Sequence, residues 1–334
     1  MKKIIWSVLI LYACCSENKD SFVPEKFKIE RTTVELPFQV EEIIQFEDGY
    51  VFTCSDTSCS IGFLNKDFSL NIAKSEKLKN GVPKYLDEIW TSSNKLYGVS
   101  ENYSKHAKYC WQNNNWKLIN SGAITKQNWR STELNYPIYE DNEFLVRSCC
   151  RGEFGGAIFF KEKKTDRTFS CEATCLNSIQ KFNGAYFIAS SLGSSKIFKI
   201  DDPRKLYEIK DTAQLEDCGW YLNYSNDGKG SYKKGYNKGY DVLLDTFDIH
   251  FLGGFNFENH LYYIYSDVKK TYVGYLKNKK LVALETIINK FTYYPGVRDL
   301  KNNPNIFPIR SQEFKGLLVL HGKNLKVVEF KRMN

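Results

Sequence analysis

Acidic residues stand in pairs just before two hydrophobic segments of this chain, Glu41 with Glu42 and Asp87 with Glu88. Two carboxyl groups about 5 to 9 Å apart can hydrolyse a glycosidic bond, one as acid and the other as nucleophile or base. An arginine cluster nearby could hold a carboxylate or a phosphate. Other charged residues in comparable positions are Arg130, Asp248, His250 and Arg310. The alternative is that all of them are ordinary solvated residues at strand ends.

No recognisable catalytic or cofactor motif accompanies these residues. The sequence contains no nucleophile elbow, phosphate-binding glycine loop or dinucleotide fingerprint. Cys54 and Cys59 are five positions apart and Cys171 and Cys175 are four apart, unlike the Cys-x-x-Cys pair of a zinc site. We therefore expect no cofactor and no metal, and we favour a binding protein over an enzyme.

The amino-terminal residues predict export. Lys2 and Lys3 precede an apolar run over residues 4–11. Such a run is too short for a bilayer core, which needs ~20 residues. A short apolar run after a positively charged start is typical of a secretion signal.

The four residues at the end of that run resemble the lipobox of bacterial lipoproteins: Leu11, Tyr12, Ala13 and Cys14. The resemblance implies that Cys14 becomes the first mature residue and carries acyl chains, which anchor a protein stably in a membrane. Residues 1–14 would then be the signal peptide and residues 15–26 a tether. The alternative is an ordinary secretion signal cut near Ala13 or Cys15.

Eight further cysteines favour disulfides in an oxidising compartment, because their number is even and the chain is predicted to be exported. These disulfide candidates are Cys54, Cys59, Cys110, Cys149, Cys150, Cys171, Cys175 and Cys218. A turn-forming Ser-Asp-Thr-Ser segment separates Cys54 from Cys59, so a hairpin could bring these two together. The sequence leaves the other pairings open.

A run of interleaved lysine and tyrosine is a possible ligand surface. Its residues are Lys229, Tyr232, Lys233, Lys234, Tyr236 and Tyr240. Aromatic rings can stack on sugars while lysines attract anionic groups. Since an exported protein seldom meets nucleic acid, we expect no nucleic-acid partner, and an anionic polysaccharide or a membrane surface suits the run better. The alternative is a solvated loop.

Composition favours a folded, strand-rich chain. The 334 residues include 22 Tyr, 23 Phe and 6 Trp, with a formal net charge of +8. So many aromatic residues exclude a disordered protein. Because aromatic residues and threonine are common in strands, and proline numbers only 8, the composition predicts an all-β fold.

A repeated pattern organises the chain. A hairpin of two hydrophobic strands occurs six times, with Gly49, Asn94, Asn142, Gly184, Asn259 and Gly316 at or beside its turns. In most units a second hairpin follows. Four strands in each unit of roughly 40 to 50 residues resemble the blade of a β-propeller, a superfold of radially packed sheets.

The resemblance implies one β-propeller domain over residues 27–334, with six or possibly seven four-stranded blades. An unpaired strand over residues 27–36 would complete the last blade, because an open sheet edge invites aggregation. Residues 211–246 exceed the repeat and form either a protruding insertion or a degenerate seventh blade. A pair of β-sandwiches is the alternative fold, since regularly spaced strands suit both.

These observations predict an exported, membrane-anchored lipoprotein of the bacterial cell envelope that faces an oxidising compartment on the outer or cytoplasmic membrane. Secretion is the alternative location. We expect a monomer that serves as a binding or scaffold module for a protein or glycan. The alternative function is an envelope glycan hydrolase with its carboxylates at the mouth of the central channel.

Overall fold

The computed structural model describes residues 24–54, 60–82, 86–92, 94–102, 105–123, 138–150, 156–192, 194–210, 238–293, 305–311 and 315–333. These residues form six separate β-sheets of three to five strands. The sheets follow one another along the chain as the blades of a six-bladed β-propeller, so the predicted fold is confirmed, with six blades. A pair of sandwiches is excluded because the strands do not gather into face-packed larger sheets.

The first strand in the described part of the chain belongs to the last blade, and the strands of the first two blades follow it. These strands are β1 (Lys28–Leu36); β2 (Val40–Phe46), β3 (Gly49–Cys54) and β4 (Ile61–Asn65) of the first blade; and β5 (Glu88–Ser92), β6 (Lys95–Asn102), β7 (Lys105–Gln112) and β8 (Asn115–Ala123) of the second. A helix, α1 (Ile72–Leu78), packs against β4.

The first blade has three strands because α1 covers its outer edge. The sequence predicts a fourth strand at residues 68–70, but this segment makes only one bridge, from Leu70 to Leu64. The side chain of Asn71 then caps the helix by accepting a hydrogen bond from the Lys74 amide at 2.9 Å. Ser75 Oγ accepts from the Phe63 amide at 2.9 Å. The helix thus satisfies part of the sheet edge that a strand would otherwise cover.

The third and fourth blades share an unusual connection. Their strands are β9 (Tyr139–Glu140), β10 (Phe144–Cys150), β11 (Gly156–Glu162) and β12 (Thr168–Glu172), then β13 (Leu176–Phe182), β14 (Ala185–Leu192), β15 (Ser194–Ile200), β16 (Tyr207–Ile209) and β17 (Asp241–Thr246). After β15 a short 3-10 helix, Pro203–Lys205, leads to β16, which pairs back with β12 as a fifth strand of the third blade.

The segment that exceeds the repeat is shorter than the sequence suggests. Residues 241–246, which the sequence placed in the insertion, form β17 and pair with β15 as the outer strand of the fourth blade. Residues 211–237 lie outside the described part of the chain.

The fifth and sixth blades complete the ring. Their strands are β18 (His250–Phe257), β19 (His260–Ser266), β20 (Thr271–Lys277) and β21 (Lys280–Ile288), then β22 (Ile306–Arg310), β23 (Lys315–His321) and β24 (Asn324–Arg332). β1 pairs with β24, with Lys28 opposite Asn324 and Leu36 opposite Arg332. The predicted closure by the early strand is therefore confirmed. The pairing is parallel.

The inner strand of the sixth blade runs in the opposite direction to the inner strands of the first and fifth blades. Its inner strand β22 ends at Arg310, whose backbone pairs with Tyr293 and whose side chain reaches Glu41 at the beginning of β2. At the opposite end of the blade, Lys323 lies 3.8 Å from Glu258 in the turn between β18 and β19. β22 is therefore antiparallel to β2 and β18, which explains why β1 meets β24 in parallel.

Two faces of the propeller follow from these directions. The mouth face is the side on which β2 and β5 begin, near Glu42 and Glu88. The turn face is the opposite side, where the inner hairpins turn at Asn94, Asn183 and Asn259.

The hydrophobic core lies between neighbouring blades. Phe160 of the third blade and Tyr186 of the fourth are both buried, with ring centroids 5.2 Å apart. Phe255 of the fifth blade lies 6.0 Å from Phe307 of the sixth. Because both faces of a blade are covered, strands such as β11 are buried along almost their whole length. None of the helices in the described part of the chain has the length and apolar character that a bilayer crossing requires.

Candidate functional site

Charged residues of three blades meet on the mouth face. Glu41 and Glu42 are the second and third residues of β2, Glu88 begins β5 with Asp87 just before it, and Arg310 ends β22; we call these five residues the charged cluster. Glu42 Oε2 accepts a hydrogen bond from the Ile89 amide at 3.1 Å, which fixes the start of β2 beside the start of β5. The two acidic pairs that the sequence singled out are therefore neighbours.

Glu41 joins the first blade to the last. Its Oε1 lies 2.6 Å from Lys315 Nζ, and its Oε2 lies 3.6 Å from Arg310 Nη1. Arg310 Nη2 also donates to the Glu41 carbonyl oxygen. All three side chains are 25 to 30% exposed, so solvent screens these ion pairs only in part. Arg310 is thus committed to Glu41, although the reversed last blade places it at the mouth.

Glu42 has the most unusual acidity of the cluster. Burial of its carboxyl group and the nearby charge of Glu88 raise its pKa from an ordinary 4.5 to about 8, against the opposing effects of the Ile89 amide and Arg310. At neutral pH this carboxyl group is mostly protonated and can donate a hydrogen bond or a proton. A protonated carboxyl beside a second carboxyl group is the arrangement that acid–base hydrolysis uses.

An exposed apolar patch lies beside the charged cluster. It consists of the rings of Phe291 and Tyr293, which are 40% and 36% exposed. Phe247 and Val268, 79% and 78% exposed, lie in other turns of the mouth face. The rings of Phe291 and Tyr293 stack with centroids 6.1 Å apart. Tyr293 exchanges backbone hydrogen bonds with Arg310 at 2.7 and 2.9 Å, so the apolar patch and the charged cluster are continuous.

Buried hydroxyl groups support the apolar patch. Ser266, Thr271 and Thr292 are fully buried, and their side-chain oxygens lie 2.8 to 3.2 Å from one another. The sequence did not single out Phe247 or Val268, because each is a single apolar residue inside a short polar turn.

No protein-family model matches the chain, and no curated protein does.

The chain also has distant likenesses among solved structures. The chain is similar to the computationally designed Ika8 protein at 8% identity and a TM-score of 0.37, over 90% of this chain and 89% of that one. It is similar to the Dos1 propeller at 9% identity and a TM-score of 0.36, over 89% and 81%. A functionally unknown protein from Desulfotomaculum acetoxidans gives 9% identity and a TM-score of 0.34, over 88% and 86%. At such scores the fold assignment rests on the sheet topology of this chain.

The remaining predicted mouth residues have different surroundings. His250 begins β18, and its ring lies 6.3 Å from that of Phe291, at the edge of the apolar patch. Asp248 is exposed, in the turn before β18. Arg130 lies outside the described residues. No group of three or more His, Cys, Asp or Glu side chains in the described ranges is arranged to hold a metal ion.

The lysine and tyrosine run is mostly outside the described part of the chain, which includes neither Lys229, Tyr232, Lys233, Lys234 nor Tyr236. Tyr240 is described, and its ring packs 5.4 Å from that of the buried Phe198. Burial also raises the pKa of the Tyr240 hydroxyl. This ring therefore serves packing and is a poor candidate for ligand stacking, which corrects the prediction at this one position.

The cysteines divide into two kinds. Cys150 and Cys175 form a disulfide with their Cα atoms 4.4 Å apart, and Cys54 is also disulfide-bonded. Cys110, Cys149 and Cys171 are buried thiols, so the prediction of disulfides at these three positions is wrong. Cys149 and Cys150 are adjacent on β10, where successive side chains point to opposite faces, and only Cys150 reaches Cys175. The remaining disulfide candidates, Cys59 and Cys218, lie outside the described residues, as does Cys14, the predicted lipid anchor.

Proposed function

We propose that this protein is an exported, membrane-anchored propeller that acts as a binding or scaffold module for a protein or glycan, with the mouth face as its ligand surface. The observation that carries the proposal is the apolar patch next to the charged cluster. Large exposed apolar groups beside an arginine are typical of recognition surfaces. Propellers commonly bind at this location, where loops of several blades converge.

The position of the amino-terminal strand supports an orientation in which the mouth face points away from the membrane. The chain enters β1 on the turn face, where Glu25 lies 2.8 Å from Lys323 and its amide donates to the Tyr262 hydroxyl at 3.2 Å. A tether from a lipidated Cys14 would therefore join the propeller at the turn face. The mouth face would then point away from the membrane. The Cys150–Cys175 disulfide is compatible with an oxidising compartment.

Binding at the mouth face is tested by removing two exposed apolar side chains together. The double variant Phe247→Ser and Val268→Ser should keep its fold and lose ligand capture, measured on a glycan array and by photo-crosslinking in cells from the exposed position 269. The matched control is Ile72→Ser on α1, which removes an apolar side chain that is 68% exposed on another blade. Equal capture by the wild type and the double variant would contradict this surface.

Lipid anchoring needs a separate experiment. Cys14→Ser should abolish incorporation of a labelled fatty acid and move the protein from the membrane fraction to the soluble fraction. Cys15→Ser is the control, since only the lipobox cysteine is acylated. Unchanged labelling of Cys14→Ser would refute the anchor.

Glycan hydrolysis is the second candidate function, and the raised pKa of Glu42 beside Glu88 favours it. In that case Glu42 would protonate the leaving oxygen while Glu88 acts as base or nucleophile. Glu42→Gln and Glu88→Gln should each lower the rate at which reducing sugar is released from envelope glycans at least a hundredfold. This is the usual contribution of an acid–base group to the rate. Absence of hydrolysis in the wild type would leave binding as the function of the mouth.

A further inference from the structure

The interface between the second and third blades differs in chemistry from the other interfaces of the ring. Each of the other five pairs of neighbouring blades shares a cluster of buried apolar residues. Among the described residues no such cluster joins the second blade to the third. Cys149, Ala157 and Phe159 of the third blade form a small cluster of their own, packed against Ile209 of the same blade. Two cations, one from each blade, lie in this interface instead.

The second blade contributes Lys108. The strand register places Trp90, Tyr97 and Cys110 side by side on one face of the blade, and Lys108 is two residues from Cys110 on β7. Lys108 Nζ lies 5.1 Å from the ring centroid of Trp90 and 5.5 Å from that of Tyr97. The opposite face of the blade, which includes Ile89, packs against the first blade. Lys108 therefore faces the third blade, on rings that attract its charge but accept no ordinary hydrogen bond.

The third blade contributes Arg147. This residue lies opposite Phe159 of β11, so it shares the face that carries the small cluster. Val146, the residue before it, points to the other face and belongs to the core shared with the fourth blade. Arg147 Nε is buried and has no hydrogen-bond partner within the described part of the chain. Because a buried donor without an acceptor costs free energy, this position favours a ligand that supplies one.

The two cations act on each other and lack a countercharge. Burial lowers the pKa of Lys108, and the charge of Arg147 lowers it further, against the opposing effect of Cys110. Burial also lowers the pKa of Arg147. In the described ranges no carboxylate pairs with either side chain. Glu88 is on the same face of the second blade, but it is two strands away from Lys108, with Val99 between them.

The donors in this interface select a class of ligand. A guanidinium group presents a planar fork that matches two oxygens of a carboxylate or a phosphate, and an ammonium group is a point charge with three donors. A phosphate group bound to one carbon carries a charge of about −1.5 to −2 at pH 7, so it can neutralise both cations. A carboxylate would leave one cation uncompensated. Lys108 and Arg147 are only half-buried, so a group from solvent can reach them.

We propose that Lys108 and Arg147 bind a phosphate group between the second and third blades, either as free phosphate or as the monoester of a small molecule. Arg147 donates through its guanidinium fork and Lys108 through its ammonium group. The bound group links two blades that share no apolar core among the described residues. This site goes beyond the proposed function, because neither residue belongs to the charged cluster or to the apolar patch.

Substitutions at these two positions leave no carboxylate unpaired. Lys108→Met keeps the apolar stem beside Trp90, and Arg147→Gln keeps a polar end. Since each removes a repulsion between like charges, both variants should be at least as stable as the wild type without phosphate. Arg147→Lys keeps the charge and loses the fork. The matched control is Lys199→Met, which removes a half-buried lysine of the fourth blade that already lies 2.7 Å from Asp201.

The experiment measures binding of inorganic phosphate and of a hexose monophosphate to the full chain by titration calorimetry and thermal shift, at constant ionic strength, with acetate for comparison. We expect the wild type to bind at least one of the two phosphates. Lys108→Met and Arg147→Gln should each weaken that binding at least tenfold, the effect of losing a charged hydrogen-bond donor. Arg147→Lys should have a smaller effect, and Lys199→Met should bind as the wild type does. Tighter binding of the hexose monophosphate indicates an ester as the ligand, and equal or tighter binding of inorganic phosphate indicates the free ion.

Three results would overturn the phosphate site. They are the absence of binding with both phosphates, equally tight binding of acetate, and phosphate binding that Lys108→Met and Arg147→Gln leave unchanged. The Phe247→Ser and Val268→Ser variant retains both cations and should bind phosphate as the wild type does. If that variant loses ligand capture while no phosphate binds to the wild type, the phosphate site is refuted and the proposed function of the mouth face stands. If phosphate binds as expected while that variant keeps its ligand capture, the phosphate site stands and the mouth-face proposal fails.

Discussion

Glu41 and Lys315 are 274 positions apart in the sequence and 2.6 Å apart in the structure, where they form an ion pair between the first and the last blade. Arg310 joins the same carboxylate. The ring is therefore closed twice, by β1 pairing with β24 at its periphery and by these charges at its inner edge.

Removal of the Glu41 charge should weaken the closure. We expect Glu41→Gln to lower the free energy of unfolding by about 1 to 2 kcal/mol, because it leaves two half-buried cations without their shared partner. This value lies between those for exposed and for fully buried ion pairs. Chemical denaturation measures this change. Glu30→Gln, which removes an exposed pair with Lys28 within β1, is the control and should have little effect. Equal stability of both variants would show that the inner ion pairs do not contribute to closure.

The raised pKa of Glu42 predicts a pH-dependent stability. The folded state keeps this proton up to pH about 8, whereas the unfolded chain releases it near pH 4.5. Between these values the folded state binds more protons, so the contribution of Glu42 to stability falls as pH rises from 4.5 to 8. Glu42→Gln should therefore gain stability relative to the wild type over this window, by on the order of 3 kcal/mol.

Denaturation at pH 5 and at pH 8 checks the prediction for Glu42. Glu35→Gln, on the exposed side of β1, is the control and should show the same difference from the wild type at both pH values. If Glu42→Gln behaves like this control, its carboxyl group ionises normally in the folded protein.

The Cys150–Cys175 disulfide closes a loop of 25 residues. The double variant Cys150→Ser and Cys175→Ser should lower the free energy of unfolding by about 3 kcal/mol, according to the chain-entropy relation. Alkylation before and after reduction maps the pairing. Cys110, Cys149 and Cys171 should react once the unreduced protein is unfolded, whereas Cys150 and Cys175 should react only after reduction. Early alkylation of Cys150 would contradict the disulfide.

Trp116 connects the second blade to the helix of the first. Its buried indole Nε1 donates to the carbonyl oxygen of Leu78, the last residue of α1, at 2.7 Å. Trp116→Phe should lower stability by about 2 to 3 kcal/mol, since it removes ring volume and leaves a helix carbonyl without its partner. Trp111→Phe removes a partly buried indole that makes no such bond within the described part of the chain, and thermal unfolding should show a smaller loss. Equal losses would mean that the hydrogen bond contributes nothing.

Much of the fold could be predicted because a blade is a local unit. Hairpins join neighbouring segments, so the alternation of hydrophobic runs with turns such as that at Asn183 and Gly184 identified the strands β13 and β14. The same local signals missed α1, where a helix that begins after Asn71 replaced the expected strand. They also placed β17 in an insertion, because its pairing with β15 spans the long segment before it.

The candidate site depended more on tertiary structure. The sequence singled out Glu41, Glu42, Asp87 and Glu88 as acidic pairs before strands, and these residues do lie together. It also singled out Arg310 as a mouth residue, but on the expectation that this residue precedes a hairpin; in the structure Arg310 ends β22 and reaches the mouth because the last blade is reversed.

The amino-acid sequence by itself determined the all-β class, the repeated hairpins and the closing strand, because each follows from local periodicity and turn chemistry along the chain. Only the tertiary structure decided the direction of the sixth blade, the partners of the cysteines, the acidity of Glu42 and the exposure of the apolar patch. These properties depend on which distant residues become neighbours and how much water they exclude, and a periodic pattern carries no information about either.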